Sequence, residues 1–463
     1  MKKESVFIEA ESIWRSLEEG KKRTPEEIRD ILVQAAAGQG LEPAAAAALL
    51  QIEEGGLLAE TFRTARAVKE KIYGKRLVLF APLYLSNHCV NNCLYCGFRR
   101  DNPRIARRRL NPEEIRAQVG RLEDQGHKRL LLECGESPQS DMEFVEEAIG
   151  TVYGTRNGRG EIRRVNVNIA ATTVENYRRL KAAKIGTYQL FQETYHRPSY
   201  EALHEGPKRD YERQLFAHDR AMEAGLDDVG LGVLFGLYDY RFEVVALLHH
   251  ARHLEEKFGV GPHTISVPRW RPAAGVDFIP PHPAGDKDFK KLVAVLRLAV
   301  PYTGMIISTR ESVEMRSEAF SLGITQTSAG SRTSPGGYGS KAEARDEETE
   351  QFRVADHRSP DAVVRSICDL GYLPSFCTAC YRRGRTGKEF MELAKPGDIR
   401  ELCQPNALLT FQEYLEDYAT AETREAGGVR IREHLREIAD PELRRQTEGR
   451  LKEITAGKRD LFF

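Results

Sequence analysis

The chain has 463 residues, enough for two or three domains of about 150 residues, or for one barrel of about 250 with additions. Lys plus Arg and Asp plus Glu both count 69, so no overall basic field invites nucleic acid or an anionic membrane. No apolar run reaches the ~18–20 residues of a membrane span.

Met1-Lys2-Lys3-Glu4-Ser5 leads into an amphipathic charged stretch without the apolar core of a signal peptide. Eight unevenly clustered cysteines are too few for a secreted disulfide scaffold, which predicts reduced thiols and a cytoplasmic location. Residues 5–75 read as helical, with an alanine-rich helix near Pro43–Ile52. Strands and helices then alternate. Candidate strands are Arg76–Ser86, Arg129–Glu133, Arg164–Ala170, Tyr188–Glu193, Val229–Phe235, Thr264–Pro268, Gly304–Ser308 and Ile324–Ser328. Asn111-Pro112-Glu113-Glu114 offers an N-cap, a proline at the first helical position and a carboxylate two further on. Helices over Tyr211–Gly225 and Arg241–Gly259 end on glycine. Eight strands alternating with helices predict an α/β fold, a parallel (β/α)8 barrel of the TIM type. Ser331–Asp361 is polar and rich in Gly, Ser and charge, a long loop or linker; helices including Ala407–Tyr418 and Asp440–Ala456 follow. The chain thus divides into a helical extension (1–75), a barrel (76–335) and a C-terminal helical domain (336–463).

Chemistry concentrates first in residues 87–98. Cys89, Cys93 and Cys96, spaced C-x3-C-x2-C, put three thiols on one short loop, enough for three corners of a cubane iron–sulfur cluster. Ordinary ferredoxin-type sites give each of four irons a cysteine, so here one iron stays open for a small molecule. Structural zinc, the bland alternative, prefers a C-x2-C pair with a distant second pair. The loop, with Tyr95 just before its last cysteine, resembles the radical S-adenosylmethionine superfamily. That resemblance implies a 4Fe–4S cluster with S-adenosylmethionine on its open iron.

In a barrel, functional groups sit just past the strands' C-terminal ends, and the remaining motifs fall there. Glu133-Cys134-Gly135-Glu136 resembles the Gly-Gly-Glu motif that binds the methionine amino group, with Cys134 replacing its first glycine and Glu136 carrying the role. Asn168 is placed for the ribose hydroxyls, and Glu193 for ribose or the amino group. Arg213 resembles the arginine that holds the cofactor carboxylate. The stretch from Gly232 through Gly236 to Asp239 resembles the G-x-I-x-G-x-x-E adenine motif, with aspartate where glutamate is usual.

A second thiol set, Cys377, Cys380 and Cys403, is spaced C-x2-C-x22-C. It again offers three ligands and an open site. Zinc would want a fourth ligand, and no histidine lies between Cys377 and Cys403. The basic run Arg382-Arg383-Gly384-Arg385 reads as a solvated or cluster-stabilising face, and Cys134 and Cys368 as buried thiols.

Both cysteine sets, with Pro405-Asn406-Ala407-Leu408-Leu409-Thr410-Phe411, Gln192-Glu193-Thr194-Tyr195-His196, His263-Thr264-Ile265-Ser266-Val267-Pro268-Arg269 and Ile307-Ser308-Thr309-Arg310-Glu311, resemble the tyrosine lyase family of FeFe-hydrogenase maturation (the HydG family) over nearly the whole chain. The resemblance implies reduction by an external one-electron donor, a 5′-deoxyadenosyl radical, and cleavage of L-tyrosine at Cα–Cβ to p-cresol and dehydroglycine. The fragment would then decompose to CO and cyanide on iron at a second 4Fe–4S cluster. That cluster would carry an extra iron, ligated partly by His263 and by free cysteine, for use by other hydrogenase maturation proteins. The substrate carboxylate asks for a bidentate cation: Arg310 at the end of the seventh strand first, then Arg269 and Arg271 at the end of the sixth. The thiazole-pathway tyrosine lyase (2-iminoacetate synthase) is the nearest rival and would lack the second thiols. A non-catalytic iron–sulfur scaffold is the other alternative.

Overall fold

Apolar residues run along both faces of Arg76–Ser86 and Arg129–Cys134, as in a parallel sheet covered on both sides, while Arg164–Asn168 alternates valine with asparagine. A computed structural model of the chain describes residues 6–339 and 349–463. The opening Met1–Ser5 and the centre of the polar stretch, residues 340–348, lie outside the described residues. Eight strands form the barrel: β1 (Arg76–Ser86), β2 (Arg129–Cys134), β3 (Arg164–Asn168), β4 (Thr187–Gln189), β5 (Asp228–Gly232), β6 (Thr264–Ser266), β7 (Gly304–Ile307) and β8 (Gln326–Ser328). Every neighbouring pair is parallel. Closure comes from β1, which pairs with β2 from Ala81↔Leu130 and with β8 from Val78↔Gln326. All eight predicted strands are present, several of them shorter at the C-terminal end, because there the backbone leaves the ladder to line the barrel's top.

One strand escaped the sequence. β9 (Leu373–Ser375) adds in parallel to the first residues of β1, Arg76↔Leu373 to Val78↔Ser375, below the point where β2 joins. Three residues with a proline at the centre carry no strand signal. Their position brings Cys377 under the barrel's lower mouth, where the Arg129 guanidinium donates to the Cys377 carbonyl at 2.9 Å.

The opening region forms helices Ala10–Gly20, Pro25–Ala36, Pro43–Leu50 and Gly55–Tyr73; the last three pack on the barrel helix Asp286–Ala299, and the first on Pro43–Leu50 and on the barrel helix Tyr240–Phe258. Small residues matter at one crossing: a Cβ on Gly20 would lie 2.9 Å from the Ala48 Cα. The Asn111 cap is a reciprocal box, its side chain accepting from Glu114 N at 2.8 Å while Glu114 accepts from Asn111 N at 2.9 Å. Gly259 (φ +75°) ends the helix Tyr240–Phe258. The stretch read as one helix over Tyr211–Gly225 breaks at Phe216 into Tyr211–Leu215 and Ala217–Glu223, with Arg220 taking the Arg213 carbonyl. Helix Ile399–Asp417 starts earlier than expected and carries Cys403 with Pro405 inside it.

Candidate active site

The top of the barrel encloses a cavity of about 200 Å3 into which Cys89, Cys93 and Cys96 all face. Their loop is pinned from outside by Arg107, whose guanidinium donates to the carbonyls of Asn87 (2.6 Å) and Phe98 (2.8 Å). Burial pushes the Cys96 thiol up to about 11, reinforced by Cys89, and raises Cys93 as well. Thiols held this way give up their protons to a metal's charge rather than to water. The Phe98 N–H points at Cys96 Sγ (3.4 Å), the kind of donor that tunes cluster sulfurs. Among the described residues no three His, Cys, Asp or Glu side chains converge on one metal ion. A cubane gives each thiolate its own iron, so convergence is not required, and the donor set fits a cluster.

Glu136, Asn168, Glu193 and Lys208 line the same cavity, and Asn91 ties Glu136 and Lys208 to the thiol loop. Glu193 adopts φ +68°, a left-handed conformation that costs a non-glycine residue on the order of 1–2 kcal/mol. Its neighbours enforce it. Leu234 N donates to the Glu193 carbonyl (3.0 Å), Lys208 Nζ pairs with its carboxylate (2.7 Å), and buried Glu243 accepts from Thr194 Oγ1 and Tyr195 N. Burial alone would lower the Lys208 ammonium; Glu193 and Cys93 outweigh it and hold it above its ordinary value. Asn168, at the end of β3, makes no side-chain hydrogen bond among the described residues and faces the cavity. Tyr95, also on the wall, shares a 2.7 Å hydrogen bond with His204 Nε2.

The glycine motif works through backbone room. A Cβ on Gly232 would sit 2.3 Å from the Phe191 ring, so glycine lets Phe191 line the cavity beside Leu234. Gly236 (φ +125°) makes the turn behind them, and Asp239 caps the following helix at Arg241 N.

Arg213 does not reach the cavity. Its guanidinium pairs with Glu136 at 2.6 Å, and Glu136 also accepts from Asn91 Nδ2 at 2.7 Å. The three arginines considered for the substrate separate sharply. Arg310 lines the cavity, its guanidinium 3.2 Å from the centre of the Phe352 ring, with no ion pair among the described residues. Arg269 and Arg271 are instead spent on the buried carboxylate of Glu311, away from the cavity wall, and Arg269 also pairs with Asp286.

Sequence reading missed part of this wall. Ser331, Thr333, Gln351 and Phe352 belong to the stretch read as a linker. It folds over the barrel's top, where the Gln351 carbonyl accepts from Gly97 N (2.9 Å) and the Gln351 side chain from Tyr84 OH (2.8 Å). Its length was the only signal, since loops beyond about 12–15 residues are commonly functional. Glu133 and Lys208 were also missed. Cys134 is corrected: it lines the upper cavity, whereas Cys368 is buried in helix Pro360–Asp369.

At the lower mouth, Cys377, Cys380 and Cys403 face a second cavity of about 60 Å3 together with His263, Arg76 and Arg129. Ala379 N points at Cys377 Sγ (3.4 Å), repeating the arrangement at Cys96. His263 Nε2 shares a hydrogen bond with Tyr381 OH (3.0 Å), and its Nδ1 lies 3.4 Å from Asp228. Burial keeps this imidazole neutral by lowering its pKa, and a nearby carboxylate is the usual second partner of a metal-binding histidine. The two cavities approach each other along the lumen. Phe80, Ile306 and Ser328 line the upper one, and Val78, Gly304 and Gln326, two residues earlier on the same strands, the lower.

Residues 83–251 match the Radical SAM superfamily model and residues 266–373 the Biotin and Thiamin Synthesis associated domain. A crystal structure of HydG, a maturase of the FeFe-hydrogenase, superposes with a TM-score of 0.95 at 55% identity, covering 99% of this chain and all of that one. The chain belongs to the HydG family. The HydG of Carboxydothermus hydrogenoformans agrees at a TM-score of 0.84 and 41% identity over 96% of this chain and 97% of its own. The 2-iminoacetate synthase of Salmonella typhimurium is 32% identical over 333 residues, 71% of this chain and 84% of that protein. Membership in the HydG family makes the chain a radical S-adenosylmethionine enzyme, with a 4Fe–4S cluster and S-adenosylmethionine implied by the matched domain. No described helix is long and apolar enough to cross a membrane.

Proposed function

We propose that this chain cleaves L-tyrosine at Cα–Cβ to p-cresol and dehydroglycine, and that the dehydroglycine yields CO and cyanide at the lower cavity for assembly of the FeFe-hydrogenase cofactor. The observation that carries this reading is the pair of three-thiol cavities at opposite ends of one lumen, the upper containing an arginine without a carboxylate partner. Cys89, Cys93 and Cys96 would hold the upper cluster, and Cys377, Cys380, Cys403 and His263 the lower one with its extra iron, completed by free cysteine. When bound, the upper cluster and S-adenosylmethionine supply a carbon radical able to take hydrogen from the amino nitrogen of tyrosine.

The chain's own residues prepare that encounter. Arg310 offers a planar fork to the tyrosine carboxylate, and Phe352 stacks beneath it so that the fork keeps one orientation. Asn168 and Glu193 bind the ribose, Glu136 the cofactor amino group, and Arg213 holds Glu136 in place. Phe191 and Leu234 flank the adenine. Trp270, Phe352 and the aromatic wall around Tyr95 keep water from a reactive radical. The short separation of the two cavities supports transfer of dehydroglycine down the lumen, and product iron would pass to other maturation proteins.

The test is a single anaerobic incubation of reconstituted protein with reductant, S-adenosylmethionine and tyrosine, assayed for p-cresol and CO together. Both should form. With Cys377, Cys380 and Cys403 replaced by serine, p-cresol should persist and CO should vanish; equal loss of both in folded protein would refute the division of labour. Similarity to 2-iminoacetate synthase gives the second reading, which p-cresol without CO from an intact lower cluster would favour.

A further inference from the structure

The upper cluster's thiol loop is followed at once by the most basic stretch of the chain. Residues 99–109 hold six arginines against one aspartate, Asp101. The whole chain carries no net charge, so the remaining residues together are net acidic and the positive charge is concentrated in this segment. Arg107 is spent on pinning the thiol loop, and Arg99 donates to Asn92 Oδ1 within it (2.8 Å). The other four, Arg100, Arg104, Arg108 and Arg109, are exposed. Arg100 and Arg108 share carboxylates with Asp101, Glu205 and Glu114 but keep 50% and 46% of their side chains in solvent. Arg104 has no ion pair among the described residues, and Arg109 lies over the Phe144 ring. Even with Glu113, Glu114 and Glu205 counted, the patch stays positive.

Position gives this charge a purpose. Three residues of chain span at most about 11 Å, so Arg99 cannot lie farther than that, backbone to backbone, from Cys96. The segment is joined to the loop by Arg100 N donating to the Asn91 carbonyl (2.8 Å) and by Asn92 Nδ2 bonding Asp101 (2.9 Å). A redox group seated on this face would be among the nearest approaches to the cluster that solvent allows.

We propose that residues 99–109 are the docking surface for a small acidic one-electron carrier protein, which reduces the upper cluster. It rests on the assignment of that cluster and not on tyrosine as substrate. In the step tested, a flavin hydroquinone anion gives one electron and becomes the neutral semiquinone, and the cluster passes from 2+ to 1+. The positive patch on an otherwise acidic chain steers an acidic partner and raises its encounter rate by about ten- to a thousandfold.

The experiment is anaerobic stopped-flow mixing of the reconstituted holoenzyme with a fully reduced flavodoxin, following semiquinone absorbance and the EPR signal of the reduced cluster. The second-order rate constant should fall about tenfold or more between low salt and about 0.3 M NaCl. Arg100→Glu with Arg104→Glu should lower it at least about tenfold at low salt, and the two glutamine variants should fall between. Reduction by dithionite should be unchanged in all of them. Arg432→Glu with Arg445→Glu, the same charge change on the C-terminal helices, should leave the flavodoxin rate within about twofold. A salt-independent rate, or equal slowing by both charge-reversed pairs, would overturn the proposal. So would slowed dithionite reduction in the first pair, which would mean a damaged cluster loop. Tight binding of a single-stranded 20-mer DNA with an unaffected flavodoxin rate would reassign the patch to nucleic acid.

Discussion

Arg310 and Arg269 carry the same side chain on neighbouring strand ends, and their surroundings give them opposite fates. Arg269 neutralises Glu311, whose side chain is 1% exposed, so Arg269→Ala leaves that buried charge to Arg271 alone. A loss of about 1.5–3 kcal/mol is expected, the worth of a hydrogen bond to a charged group, read as a fall in the denaturant midpoint, with the KM for tyrosine little changed in the protein that folds. Arg310 makes no ion pair among the described residues and feels Glu193 and Glu133 only at longer range. Arg310→Gln should preserve the melting temperature and raise the KM for tyrosine by about 10- to 150-fold, the worth of a hydrogen bond to a charged group. Arg310→Lys should recover little, because an ammonium cannot reproduce the fork. A KM unmoved by either variant would remove Arg310 from the substrate site.

Glu133 adds a pH dependence. Burial pushes its carboxyl from 4.5 up to about 7, against the smaller opposing pull of Tyr84 and Arg310; Cys134 also faces it. Its folded pKa lies above its unfolded one, so the stability it contributes is complete below about 4.5 and is lost as pH rises through about 7. Above that point the ionised carboxylate would compete with substrate for Arg310, so the KM for tyrosine should rise between about pH 6 and 8. Glu133→Gln should flatten the profile; an identical profile in the variant would exclude Glu133 as its source.

Among elements, residues 459–463 bind both halves of the lower thiol site. Asp460 takes Arg382 in a two-point ion pair (2.6 and 2.7 Å), the Phe463 carbonyl accepts from Arg385 (3.0 Å), and Phe463 N donates to Asn406 (2.8 Å). Arg382 and Arg385 flank the loop of Cys377 and Cys380, and Asn406 shares a helix with Cys403. The basic run, read from sequence as a solvated or cluster-stabilising face, therefore acts as a socket for this segment. Removing residues 459–463 should cost one cluster's worth of iron on reconstitution and abolish CO while p-cresol continues. Full iron content in the shortened chain would show that the clamp is dispensable.

For the molecule as a whole, the barrel and the C-terminal helices share a core. β9 extends the barrel sheet, and buried Glu413 pairs with Arg163 (2.6 Å) and Lys128 (3.7 Å) from the barrel's lower rim. A chain ending at residue 359 would take Glu413 from both cations, leaving Arg163 only Glu161 (2.7 Å), and would uncover β1. Such a chain should elute as aggregate with weak near-UV circular dichroism. A monodisperse product that still makes p-cresol would show the barrel to be self-sufficient.

Local chemistry made much of this legible without coordinates. The strands announced themselves because most carry apolar or β-branched residues in short runs between helices, and the cysteine loop because C-x3-C-x2-C depends on spacing alone. The resemblance carried the family, which the near-complete match to HydG structures then established. Tertiary structure decided the rest, because it turns on which groups meet across long separations. Arg310 differs from Arg269 only through Phe352 and Glu311, Phe352 reaches the cavity only through a loop with no secondary-structure signal, and His263 reaches the cysteines only because β9 draws Cys377 beneath β1. Sequence patterns report forces acting over a few residues, whereas a charge's partner is set by packing between segments that the chain itself keeps far apart.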